Sequence, residues 1–465
     1  MTQPLFTIQA ILDATGGRAE GVEAVAVNAI SIDSRELGPD ALFVAIRGER
    51  FDGHDFVDAA LASGAVAALV SEGRGAGPGR IVVADALGGL RDLARAARAR
   101  SRAFIVGVTG SVGKTTTKEA LRSVLAAAGE THASIRSFNN HWGVPLMLAR
   151  LPETAQFGVF EMGMNAPDEI RPLSRLVRPH VALITTIAPA HLERLGSLEA
   201  IARAKAEIFE GLEPGGTAVL NADHAQLPAL LEAAAAAGVA NVVTYGFARG
   251  ADWQIVDPQT AADRGFATVH HGEERHALAL AVPGRHMLSN ATAALAVAHL
   301  AGIAPEVALR ALAGFGAQPG RGLRAALGPQ DKPLVLVDES YNANTASMAA
   351  ALDVFAGIAP PGGRKVLVLG DMLELGAQAD ALHAGLAEAV LASGADAVYL
   401  VGTHVRALAE ALPPGLVAGH FPTAEALVPE LTGALAYGDA VMIKGSNGVG
   451  LARVVNAVRD RFDQA

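Results

Sequence analysis

The chain has 465 residues, 51% of them hydrophobic and 18% charged, which is enough apolar material for about two to four domains and too much for a disordered polypeptide. Lys plus Arg number 37 against 47 Asp plus Glu, a formal charge of −10, and this argues against a general nucleic-acid binder, whose phosphate contacts demand clustered basic residues. The absence of cysteine excludes disulfides, thiolate metal sites and cysteine nucleophiles, and it suits a reducing compartment.

The amino-terminal stretch MTQPLFTIQAILDATGG has neither the basic start nor the apolar run of a secretory signal. No segment approaches the roughly 20 apolar residues that cross a bilayer. The most apolar one, ATAALAVAHLAGIAPEVALRALAGF, is broken by His299, Pro305, Glu306 and Arg310 and reads as core helices. The expectation is a cytoplasmic protein without stable membrane insertion.

In chain order, the first hundred residues mix short β-rich runs (AVAVNAISIDS, ALFVAIRG, AVAALVS, RIVVADA) with helical stretches of small residues. RDLARAARARSRAF reads as a charged helix or linker and precedes a clear strand, FIVGVTG. From there to about Phe315, strands (FGVFEMG, HVALITTIA, TAVLNAD, NVVTYG) alternate with helical patterns such as TKEALRSVLAAAG and SLEAIARAKAEIFEGL. Such alternation predicts βαβ units and a parallel sheet. After the Gly-rich GFGAQPGRG it restarts with PLVLVDES, a helix near 347–356, KVLVLGD, AVYLVG and AVMIKGS. The fold class expected is α/β in three blocks: 1–98 mixed α/β, 99–316 with a parallel sheet, and 317–465 a second α/β unit.

The sharpest chemical signal is VGVTGSVGKTTTKEAL, which follows the strand Phe104–Val108. A Gly-rich turn between strand and helix presents consecutive backbone N–H groups to phosphates, and the helix start adds positive potential. Gly110, Ser111, Val112, Gly113 and Thr116 would form the cradle. Lys114 would sit over the β- and γ-phosphates and Thr115 would bind Mg²⁺. Counted as a strict P-loop, the first glycine should fall at position 108, where Val108 stands. Downstream strands place Glu161 and His191 at carboxyl ends, where α/β sheets bind ligands. Both suit one or two Mg²⁺ shells, although Glu161 also suits a helix cap and His191 an ordinary loop histidine. Lys205 lies among the apolar residues of IARAKAEIF, where a solvated lysine with its stem along the helix is the plainer alternative.

These pieces resemble the Mur ligase family of peptidoglycan precursor synthesis. The matching segments are TGSVGKTT, the acid of EMGMN, the His of PAHLERLGS, the Lys of AKAEIF, GRHMLSNATAALA, the Gly320–Arg321 pair and KGSNGVGL. Within the family, FNNHWGVP, EMGMNAPDEI, DESYNANTASM and LGDMLELG are similar to the branch that adds D-alanyl-D-alanine. The resemblance implies three domains: a uridine-nucleotide domain, a central ATPase and a terminal dinucleotide-fold-like (Rossmann-like) domain. It implies that Lys114 and Thr115 meet the ATP phosphates and Mg²⁺, that Glu161 and His191 hold metal, and that Lys205 carries a carbamate. It assigns Asn290 to adenine, with a helix-start cap as the alternative, and Arg321 to the γ-phosphate, with a solvated loop arginine as the alternative. Ser34, Arg35, Gly48, Asp52, Gly53 and His54 resemble the uridine-diphosphate-sugar contacts, although such turns are more often structural. Asn139 and Asn140, with His141, fall in the family's substrate loop, and Tyr341, Asn342 and Asn344 in its SYNAN segment.

The chain departs from the family pattern in two places. The segment usual in the family is Asp-Asp-Ser-Tyr-Asn-Ala-Asn-Pro; here Glu339 replaces the second acid, which touches the ATP ribose, and Thr345 replaces the proline, with a cap still available from Thr345. Asn447 stands where Arg is frequent, and Lys444 either meets a substrate carboxylate or simply ends a strand. The activity implied is ATP-dependent amide ligation through an acyl phosphate, joining UDP-N-acetylmuramoyl-tripeptide to D-alanyl-D-alanine in a monomeric enzyme. A ligase adding a single amino acid and a P-loop ATPase switch are the alternatives.

Overall fold

The computed structural model describes residues 3–74, 77–189, 192–261 and 263–463, so His191 lies outside the described residues. Besides a two-stranded pairing of Phe6–Thr7 with Ala26–Val27, three larger sheets follow one another along them. The first has the order Arg18–Glu20, Arg80–Val83, Ala65–Ser71, Ala41–Val44, Ala29–Ser31, parallel except for its first pair. Ala41–Val44 and Arg80–Val83 are buried throughout, which is why these strands read as continuous apolar runs. RDLARAARAR is helical, within Ala86–Arg100; Asp85 caps it by accepting from Gly88 N at 2.6 Å. Near its end, Arg98 donates to the carbonyls of Val177 and Arg178, both at 2.8 Å, and fastens the helix to the middle of the chain.

The second sheet runs Glu274–Leu280, Gly265–His271, Trp253–Thr260, Asn241–Gly246, Thr217–Asn221, Val181–Ile184, Phe104–Thr109, Phe157–Glu161, Thr131–Ala133. From Asn241–Gly246 onward all neighbours are parallel. Phe104–Thr109 enters first and is flanked by later strands on both sides, so the order reverses there. A crevice opens at the carboxyl end of such a switch point, and the chain leaves this strand into its Gly-rich turn.

The expected alternation to Phe315 fails between Trp253 and Leu280. Those residues form an antiparallel meander with no intervening helix. Its strands alternate buried and exposed side chains, with a bulge between Val256 and Gln259. Alternation resumes with the helices Arg285–Leu300 and Pro305–Ala313, the apolar segment expected to be core.

The third sheet has the order Leu323–Leu327, Leu334–Glu339, Ala440–Lys444, Lys365–Gly370, Ala397–Val401, Val417–Phe421, parallel except for its first pair. Its two edge strands, Leu323–Leu327 and Val417–Phe421, were not anticipated from the sequence. Both are mostly half-exposed and lack an apolar run. Among the described residues no helix is long and apolar enough to cross a membrane.

Candidate active site

The cradle is built on two glycines whose backbone conformations and close neighbours disfavour any side chain. Gly110 has φ +151°, and a Cβ there would lie 1.9 Å from Thr185 Oγ1. Gly113 has φ +86°, and its Cβ would lie 2.8 Å from Asn290 Oδ1. The turn between them is fixed from the neighbouring strand end. Ser111 N donates to Thr186 O at 2.7 Å, and the Thr185 hydroxyl donates to Val112 O at 2.5 Å. Val108 breaks the strict motif without consequence, because it lies inside regular strand, paired with Leu183 and Glu161. Lys114 opens the helix Lys114–Ala126 and folds back to donate to Gly110 O at 2.7 Å. Burial lowers its pKa; nearby Glu161 opposes that shift and Arg321 adds to it.

Glu161 ends its strand at 1% exposure and caps no helix. It accepts from the Thr115 hydroxyl at 2.8 Å and from the Asn139 amide at 2.7 Å. A hydroxyl and a buried carboxylate at the start of a phosphate loop are the oxygen donors that Mg²⁺ takes alongside water and phosphate. The buried hydroxyls of Thr109, Ser111 and Thr117 find no hydrogen-bond partner among the described residues, so the cradle holds polar capacity that its own chain does not use. These residues fit a metal-bound triphosphate.

Lys205 is 1% exposed rather than solvated. Burial, and then the like charge of Lys114, push its pKa well below the ordinary lysine range, which favours the neutral amine. Two residues on, Glu207 accepts from the backbone N–H groups of Asp168, Ile170 and Arg171 at 2.6, 3.2 and 3.0 Å. The turn that follows Glu161 is thereby tied to the helix that carries Lys205.

The third sheet closes over this cradle. Arg321 donates to Thr115 Oγ1 at 3.0 Å and lies over the Tyr341 ring, 4.4 Å from its centroid. It is a bridge between two sheets and not a solvated loop arginine. Asp338 sets its position by accepting from Gly320 N at 3.0 Å. The Tyr341 hydroxyl donates to Ser137 Oγ. Lys444 does end its strand, buried, and its ammonium donates to Glu339 Oε2 at 3.2 Å and to Asn342 O at 3.0 Å. Asn344, not Thr345, caps the helix Thr345–Ala356, in a reciprocal pair with Ser347. Asn290 lies inside the helix Arg285–Leu300, so the helix-start alternative fails; its side chain sits against Gly113.

Between the second and third sheets lies a cleft of about 530 Å³. The cradle residues 111–116, Asn139, Glu161, Asn290, Arg321, Glu339, Tyr341, Asn342, Asn344, Lys444 and Asn447 all line it. Sequence reasoning missed its far wall, which is made of Asn221, Asp223, Phe247 and Arg285. Asn221 and Phe247 stand at the ends of parallel strands, so the rule that found Glu161 applied to them as well. The Arg285 guanidinium lies 4.1 Å from the Phe247 ring centroid.

Ser34, Arg35, Gly48, Asp52, Gly53 and His54 line none of this cleft. Arg35 pairs with Asp33 at 2.7 Å, and that guanidinium lowers the Asp33 pKa to about 2. Asp52 accepts from His54 Nδ1 at 2.6 Å, His54 Nε2 accepts from Ser71 N at 3.0 Å, and a Cβ on Gly53 would lie 2.7 Å from Ile46 O. Those groups hold their own turn. A Cβ on Gly48 would lie 3.3 Å from the Trp142 ring, next to Asn140, whose side chain accepts from Gly143 N at 2.9 Å.

Family models match in three blocks: "Mur ligase family, catalytic domain" over residues 26–88, "Mur ligase middle domain" over 108–298, and "Mur ligase, glutamate ligase domain" over 324–447. The UDP-N-acetylmuramoyl-tripeptide–D-alanyl-D-alanine ligase of Escherichia coli K12 is 35% identical over 457 residues, 98% of each chain. A crystal structure of MurF from Acinetobacter baumannii superposes with a TM-score of 0.85 at 30% identity, covering 98% of this chain and 99% of that one. MurF of Thermotoga maritima in complex with ADP gives 0.78 at 27% identity over 93% and 97%. With cradle, acid and bridging arginine gathered in one cleft, and with relatives of this identity over nearly the whole length, the chain belongs to the Mur ligase family.

Proposed function

We propose that the chain is an ATP-dependent ligase that joins the terminal carboxylate of UDP-N-acetylmuramoyl-tripeptide to the amine of D-alanyl-D-alanine in peptidoglycan precursor synthesis. The observation that carries this reading is the single cleft in which Lys114, Glu161 and Arg321 converge from two sheets. A carboxylate is a poor electrophile, so an amide bond requires its activation. A carboxylate oxygen of the tripeptide attacks the γ-phosphorus of ATP, ADP leaves, and an acyl phosphate forms. The free amine then attacks the acyl carbon, loses its proton, and phosphate leaves with the electron pair of the broken C–O bond.

Lys114 and Arg321 place positive charge on the transferring phosphoryl group, and the turn from Gly110 to Gly113 donates its backbone N–H groups. Thr115 and Glu161 are the side chains that would hold Mg²⁺, as His191 would. Mg²⁺ held there would supply charge neutralisation for the triphosphate. Lys205, whose pKa burial lowers, would suit capture of CO₂, its nitrogen bonding the carbon and losing a proton to leave an anionic carbamate in place of a buried amine near Lys114. Asn290 receives adenine and Glu339 the ribose, while Asn139, Tyr341, Asn342 and Asn344 face the peptide substrates. Ser34, Arg35, Gly48, Asp52, Gly53, His54 and Asn140 belong to the uridine-nucleotide end. Residues 1–98 bind that nucleotide, 99–316 bind ATP, and 317–465 bind the dipeptide and close the ATP site. A monomer in the cytoplasm is the expected form.

The test is phosphate release from ATP with UDP-N-acetylmuramoyl-tripeptide, with and without D-alanyl-D-alanine, and with product mass read in parallel. Release that depends on the dipeptide and yields the pentapeptide mass supports the ligase. Release indifferent to the dipeptide refutes it and favours a plain ATPase.

A further inference from the structure

The loop Ser134–Asn140 touches all three sheets' territories. Arg136 pairs with Glu36, which lies next to Arg35 in the first hundred residues, at 2.7 Å. Ser137 receives the Tyr341 hydroxyl from the third part of the chain. Asn139 donates to Glu161 at 2.7 Å, its carbonyl accepts from Gly163 N at 2.8 Å, and Glu161 N reaches Ser134 Oγ at 3.4 Å. The loop's backbone is unusual at its centre, where Arg136 takes φ +49°, a left-handed conformation that a non-glycine residue holds only under constraint.

Lys118 holds the carbonyl of that residue. Its side chain is fully buried, and its ammonium donates to Arg136 O at 3.1 Å while pairing with Glu119 Oε1 at 3.0 Å. A buried ammonium without partners is strongly unfavourable, so Lys118 is held to that carbonyl as firmly as the carbonyl is held to it. Lys118 lies one turn beyond Lys114 on the same helix, yet it lines no part of the nucleotide cleft.

We infer that Lys118 is a positioning residue for ligation: by fixing the Arg136 carbonyl it sets the loop that places Asn139 on Glu161 and Ser137 under Tyr341, so that the peptide substrates meet a formed site. The inference rests on the ligase reading above, and it concerns a residue that touches neither nucleotide nor substrate.

The experiment compares the full-length parent with Lys118→Met, which keeps the stem and removes the donor. The KM for UDP-N-acetylmuramoyl-tripeptide should rise about tenfold, the scale of losing one charge-assisted hydrogen bond, while the equilibrium affinity for Mg²⁺–ATP stays within about twofold. Adding Asn139→Ala to Lys118→Met should cost much less than Asn139→Ala costs in the parent, because both act through one loop. Lys118→Gln, which retains a donor on a shorter stem, should restore part of the lost KM, and it serves in place of Lys118→Met if that variant fails to give a cooperative melt. Equal losses in ATP affinity and muropeptide KM, additive effects with Asn139→Ala, or an unchanged KM would each overturn the inference. A parent that does not ligate at all would overturn the functional reading instead.

Discussion

At the scale of single residues, the site is decided by space and by charge. A methyl group on Gly110 has nowhere to go, since its Cβ would stand 1.9 Å from Thr185 Oγ1 at a φ of +151°. Gly110→Ala should therefore weaken ATP binding by at least about tenfold, as measured by equilibrium titration with a non-hydrolysable analogue, because the turn must open to relieve the clash. Native affinity in that variant would contradict the role given to the cradle. Lys205 gives a prediction of opposite character. Its amine is buried at 1% exposure beside Lys114, so it serves stability poorly. Lys205→Met fills a similar volume without a polar head; kcat for ligation should fall by roughly two orders of magnitude or more while the apo melting temperature holds or rises. A variant that ligates normally would remove Lys205 from the chemistry. Residues of this kind were legible because Gly-rich turns and strand-end acids carry short, local signatures. Asp52 and His54 were harder to read: a turn rich in Gly, Asp and His looks the same whether its polar atoms serve a ligand or the turn itself, and only the 2.6 Å contact between the two reveals the second use.

Among the elements, legibility followed burial. Parallel strands covered on both faces, such as Phe104–Thr109 and Ala440–Lys444, are apolar from end to end and stand out in the sequence. The meander from Trp253 to Leu280 has one covered face; its exposed positions are filled by His, Gln and Thr, which dilute the pattern into something resembling loop. Thr131–Ala133 is a short strand of the legible sheet with an element-level property that can be measured. His132 donates to Met147 O at 2.7 Å, and burial, against that hydrogen bond, takes its pKa down to about 4. In the unfolded chain a histidine titrates near about 6.5. As pH falls below that value the unfolded state takes up a proton that the folded state refuses until about pH 4, so stability declines across that window. His180, His271 and His383 are shifted in the same direction by burial and steepen the decline. Urea melts across the window should show a shallower acid limb for His132→Gln, which keeps a donor and does not titrate. An identical slope would mean that the strand opens before the imidazole is protonated.

For the whole molecule, the question is how loosely the third sheet is attached. Its contacts with the middle of the chain include Arg321 on Thr115, Tyr341 on Ser137, and Glu193 N donating to Glu374 O at 3.3 Å. These are polar contacts around a cleft of about 530 Å³, and interfaces of that kind permit relative motion of the parts they join. The same groups have a competing use. When a triphosphate occupies the turn from Gly110 to Gly113, Thr115 and Arg321 gain new partners, and the bond between them is free to be exchanged. Tyr341 then becomes the contact that holds the closed arrangement independently of nucleotide, because Ser137 belongs to the loop and not to the cradle. Tyr341→Phe keeps the ring under Arg321 and removes only the hydroxyl. In small-angle scattering the ligand-free variant should have a larger radius of gyration than the parent. Saturating ATP analogue with UDP-N-acetylmuramoyl-tripeptide should bring the two together, since the ligands themselves then span the cleft. In steady state the same variant should lose kcat/KM for D-alanyl-D-alanine by about tenfold, because in the proposed reaction its amine acts on the acyl phosphate, in a site less often assembled. Equal radii in the ligand-free proteins would make Tyr341 an ordinary surface contact, and the attachment of the third sheet would then rest on its other contacts, Arg321 on Thr115 and the Glu193–Glu374 pair among them.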